Sequence, residues 1–101
     1  MSAGDGEQEY RLNLAREARR SKRHPSGVDG REAEGVVVVA VSMQVAEFPP
    51  EIRLHQSSGN EALDRAALEM MEQAVKTARV PRELQGRRFR ISVPVEYRLA
   101  D

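Results

Sequence analysis

The stretch from Phe89 to Leu99 sets the tightest limit on how this chain can fold. Phe89, Ile91, Val93, Val95, Tyr97 and Leu99 alternate there with Arg90, Ser92, Pro94, Glu96 and Arg98, and Arg88 extends the polar series backwards. Period-two alternation of β-branched and aromatic residues with polar ones predicts a strand over 88–99 with one buried and one wet face. Pro94, in its middle, has no N–H to give a ladder, and proline inside a sheet is confined to edge strands and bulges. The last strand is therefore an edge. Such an edge is either a docking position for a partner strand, with residues 88–98 as the contact, or an edge merely blunted by its charges and its proline. The pattern alone leaves both open.

The most apolar segment runs from Val36 to Val45. Val37, Val39, Val41, Met43 and Val45 share one face, and Val36, Val38 and Ala40 share the other before Ser42 and Gln44 turn it polar. A strand apolar on both faces belongs in the middle of its sheet. Ala46 to Pro50 is read as a turn, and Glu51 to Gln56 as a second strand with Ile52 and Leu54 inward. Ser57-Ser58-Gly59-Asn60 breaks that strand and supplies a helix N-cap. A helix follows over 61–78 with Leu63, Ala67, Met70, Met71, Ala74, Val75 and Ala78 on one stripe. Glu61/Arg65 and Glu72/Lys76 are spaced for ion pairs on its opposite face.

Before these elements, residues 1–6 read as a flexible leader and residues 7–23 as a helix with Tyr10, Leu14 and Ala18 on one stripe. Leu12 falls off that stripe. His24-Pro25-Ser26-Gly27 and Asp29-Gly30 end the helix. The prediction is an α+β, two-layer sandwich over 7–101. A three-stranded antiparallel sheet of order 2-1-3 carries one main helix on one face, with an additional N-terminal helix.

The chemistry of the chain argues against an enzyme. Ser57 and Ser58 beside His55 lack a nucleophile elbow and a third partner, so capping explains them better. Glu61 and Asp64 are first-turn acids that suit the positive helix end. Two histidines and no cysteine make no metal site, and no glycine-rich loop holds a phosphate or cofactor. The basic cluster Arg16, Arg19, Arg20, Lys22 and Arg23 suits a helix C-terminus, or phosphate binding. Nucleic acid is a poor fit, because the net charge is zero and aromatics are 4% of the chain. No run approaches the roughly 20 apolar residues of a membrane span.

Several segments resemble the C-terminal domain of TonB-type energy transducers. They are Glu34 to Val39, Ile52 to Ala67 with its Ser-Ser-Gly…Leu-Asp-Arg-Ala-Ala run, Ala78-Arg79-Val80-Pro81, and Val93-Pro94-Val95-Glu96-Tyr97-Arg98-Leu99. The helix bearing Tyr10, followed by His24-Pro25, is similar to that family's helix and Tyr-Pro element. His24 stands where tyrosine is usual, and Phe48-Pro49-Pro50 replaces the usual short Asp-Gly turn. The resemblance implies a periplasmic domain of a Gram-negative bacterium, carried by an inner-membrane-anchored arm. It implies that residues 88–98 pair with the TonB box of an outer-membrane transporter, with His24 and Pro25 as a secondary contact region and no cofactor. Force from the proton-motive-force-driven inner-membrane motor proteins, reached through an upstream segment, would then open the transporter for siderophore, haem or vitamin. The anchor helix and proline-rich linker of full transducers do not occur in these residues, so a fragment or soluble paralogue is expected. Two alternatives stay open: a TolA-like envelope interaction module, and a nucleic-acid-binding α+β domain. Exposed edges also leave a strand-exchanged homodimer open.

Overall fold

A computed structural model describes residues 3–21, 34–44 and 49–98 of the 101-residue chain. The elements are α1 (Ala3–Ser21), β1 (Gly35–Met43), β2 (Glu51–Gln56), α2 (Glu61–Thr77), a 3-10 turn at Arg82–Leu84 and β3 (Phe89–Tyr97). The sheet order is β2-β1-β3, as the two-faced apolar strand and the proline together indicate, and both pairings are antiparallel.

One boundary differs in kind. Residues 3–6, expected as leader, are the first turn and more of α1. Gly6 explains how the helix can lie where it does. A Cβ built there would sit 2.8 Å from the Cβ of Glu83, so the missing side chain lets α1 pass close over the 3-10 turn. Lys22, Arg23, His24 and Pro25 lie outside the described residues, as do Val45 to Phe48 and Leu99. The remaining bounds shift by a residue or two. Ala78 caps α2, and Arg88 and Arg98 flank β3.

Both helices pack on the same face of the sheet, α1 against β3 and α2 over β1 and β2. The predicted stripes meet there. Tyr10, Leu14 and Ala18 from α1, and Leu63, Ala67, Met70, Met71, Ala74 and Val75 from α2, close on Val37, Val39 and Val41 and on the odd-numbered residues of β3. Tyr10 and Phe89 meet edge to face with ring centroids 5.4 Å apart. The methionine pair is thus core packing. On the other face of the sheet, Ala40 is buried but Val36 is 42% exposed. The apolar second face of β1 marks its central position, and among the described residues no helix packs over that face.

Two local expectations are corrected. Leu54 lies opposite the buried Val39, yet it is 42% exposed because β2 is the outer strand at the far side of the sheet. Glu61/Arg65 and Glu72/Lys76 form no ion pairs among the described residues, whose bridges join Arg20 to Glu17, Arg53 to Glu51 and Arg98 to Glu96. Exposed pairs gain little in water and lose side-chain freedom, so spacing alone does not form them.

Candidate strand-docking edge

The edge is built from how β3 spends its backbone groups. Its register against β1 runs without a shift from Met43↔Phe89 to Gly35↔Tyr97, and it places Pro94 opposite Val38. In an antiparallel pair, alternate residues turn both N–H and C=O towards the neighbour, and those between turn both away. Pro94 has no donor, so an intact ladder places it among the residues turned away. Arg90, Ser92 and Glu96 share that side. Phe89, Ile91, Val93, Val95 and Tyr97 face β1 with their backbones and the core with their side chains.

A second observation gives the same orientation. Arg11, from α1, donates from Nε to the Ser92 carbonyl at 3.0 Å, reaching it from outside the sheet. The residues predicted to receive a partner strand therefore divide in two. Arg90, Ser92, Pro94 and Glu96 turn their backbone away from β1, and the five apolar residues hold the strand in place. Arg88 and Arg98 are exposed just beyond the strand ends. Arg98 lies against the Glu96 carboxylate.

Beside this edge runs a groove of about 740 Å³, walled by Arg11, Leu12, Ala15 and Arg19 of α1 and by Pro94 and Glu96 of β3. Leu12 is 58% exposed in it. Sequence reading assigned neither Arg11 nor Leu12 to the site. The one available signal was that Leu12 breaks the stripe of a helix whose other large apolar residues are buried.

The serine-rich junction does structural work. The Asn60 carboxamide oxygen accepts from the Ala62 and Leu63 amides at 2.9 and 3.2 Å. Asp64, 8% exposed, accepts from both the Ser58 amide at 2.9 Å and the Ser58 hydroxyl at 2.8 Å, and from the Ser57 hydroxyl. Burial pushes the Asp64 carboxyl up, but these three donors outweigh it and hold it below the ordinary carboxylate value. Gly59, at φ +92°, makes the turn between the serines and the cap. Burial also pushes the Tyr10 and Tyr97 hydroxyls up to about 12. Of the basic cluster, Arg19 and Arg20 occupy the last described turn of α1.

The described residues thus form a two-layer α+β domain with both helices on one sheet face and a last strand, paired to β1 on one side, that runs beside a groove. Comparison with known proteins gives the family. The model for the Gram-negative bacterial TonB protein C-terminal matches residues 20–99, and the chain belongs to that family. The Protein TonB of Pasteurella multocida (strain Pm70) is 33% identical over 92 residues, which are 91% of this chain and 35% of that protein. The chain thus corresponds to well under half of that relative. The NMR solution structure of the Helicobacter pylori TonB C-terminal domain superposes with a TM-score of 0.67 at 22% identity, over 91% of this chain and 96% of the other. At that identity the likeness is one of fold.

Proposed function

We propose that this domain is the strand-receiving end of a TonB-type energy transducer. It takes the TonB box of an outer-membrane transporter as an added strand on β3 and passes to it the force of a proton-motive-force-driven inner-membrane complex, for import of a nutrient such as a siderophore, haem or vitamin. The setting is the periplasm. The observation that carries this reading is the outward-facing backbone of Arg90, Ser92, Pro94 and Glu96 on a strand whose other side is fully engaged with β1. Family membership supplies the partner class.

Strand pairing suits the task physically. Backbone hydrogen bonds of an added strand are loaded together when the two strands are pulled along their length, so a short segment holds under tension without high affinity. His24 and Pro25 are proposed as a secondary contact.

Titration of the isotopically labelled chain with synthetic TonB-box peptides, followed by amide shifts, tests the assignment. Perturbation should concentrate at Arg90 to Glu96 and along the groove. Shifts confined to β2 or to the sheet face opposite the two helices would refute it.

A further inference from the structure

We infer that Arg11 supplies the hydrogen-bond donor that Pro94 lacks when a peptide strand adds to β3, and so helps to set the register of that strand. This rests on the strand-addition reading above.

An incoming strand would meet backbone stations in sequence along the outer side of β3. The Ser92 carbonyl is followed directly by the Pro94 nitrogen, because the intervening Val93 groups face β1. A carbonyl of the added strand brought opposite Pro94 would lose water and find no N–H, a cost that an edge without proline does not impose. Arg11 stands at this place. Its Nε is on the Ser92 carbonyl at 3.0 Å, and its Nη1 reaches the Gln8 side-chain oxygen at 3.3 Å. A guanidinium carries five N–H donors, so these two bonds leave further donors on the same group. Arg11 and Pro94 also wall the same groove, and the bond to the Ser92 carbonyl holds the guanidinium two residues from Pro94 along the strand.

Two features make the arrangement effective. Tyr10 and Leu14, on either side of Arg11 along α1, are fully buried, so the helix bearing the guanidinium is fixed before any strand arrives. A carbonyl oxygen also has two lone pairs, so Ser92 can keep Arg11 while accepting from an incoming N–H. A charged donor makes a stronger bond to a carbonyl than a neutral amide does. A peptide gains most by placing a carbonyl, rather than a side-chain clash or a kink, opposite Pro94.

The test is a double-mutant cycle on the full chain, with a synthetic TonB-box peptide as the probe and calorimetry as the readout. Arg11→Ala should weaken binding about fivefold in the otherwise unchanged chain. In a Pro94→Ala background, where the backbone donor is restored, the same change should cost less than about twofold. Arg11→Met keeps the aliphatic stem and replaces the alanine variant if thermal unfolding shows that variant to be unstable. An equal loss in both backgrounds, no loss in either, or tighter binding without Arg11 overturns the assignment. Amide shifts of the unmodified chain separate the two claims. Peptide shifts on β3 with an additive cycle defeat only the role of Arg11, whereas no shifts on β3 defeat strand addition itself.

Discussion

Tyr10 is wholly buried, and its hydroxyl finds no hydrogen-bond partner among the described residues. A buried unsatisfied polar group costs about 1–3 kcal/mol. Tyr10→Phe keeps the edge-to-face contact with Phe89 and removes that cost, so the urea midpoint should hold or rise; a clear fall would reveal a partner for the hydroxyl. The same burial has a pH signature. The folded-state hydroxyls of Tyr10 and Tyr97 sit at about 12, above the unfolded value near 10, so their contribution is complete below pH 10 and is lost as pH rises towards 12. Asp64 acts at the other end of the scale. Its folded carboxyl lies below the unfolded value, so its contribution is present above about pH 4 and fades as acid protonates the folded form. Acid unfolding followed by circular dichroism should be less steep for Asp64→Asn than for the unchanged chain.

At the scale of elements, β3 makes a prediction of its own. Hydrogen exchange should alternate along it, slow at Ile91, Val93 and Val95, whose amides face β1, and fast at Arg90 and Ser92, whose amides face outward. Uniform protection would mean that the edge is covered. α2 depends on its start: Asn60→Ala removes the acceptor of the Ala62 and Leu63 amides and should cost about 1 kcal/mol by chemical denaturation. These elements were legible in the sequence for a physical reason. Both helices, β1 and β3 bury one face, so period and burial coincide, and Pro94 reports an edge because its lost donor is a covalent fact. What the sequence could not reveal were meetings between distant segments. Nothing local to Gly6 says that Glu83 will lie against it, and nothing local to Arg11 says that Ser92 is 81 positions away in sequence but 3.0 Å away in space. The start of α1 is hidden on the same ground. Gly4 and Gly6 weaken an isolated helix, while here packing of the helix on the 3-10 turn and β3 overrides propensity.

Across the whole molecule, the sheet has two outer strands and they are not equivalent. β3 is straight in register over its full length. β2 is short, and its pairing slips between Val38↔Gln56 and Val39↔Leu54, leaving His55 as an extra residue. Pro50 immediately precedes it, and Glu51 and Arg53 join across its exposed surface. Bulges and charges are the means by which sheets discourage further pairing. Calorimetry with TonB-box peptides should accordingly return one peptide per chain; two would show that β2 receives a strand as well. A sheet with two receptive sides could hand its pairing on from molecule to molecule without end. On the proposed reading, the slip in β2 would leave this domain a valence of one, and a chain that had taken its strand would have nowhere to pass the bond along.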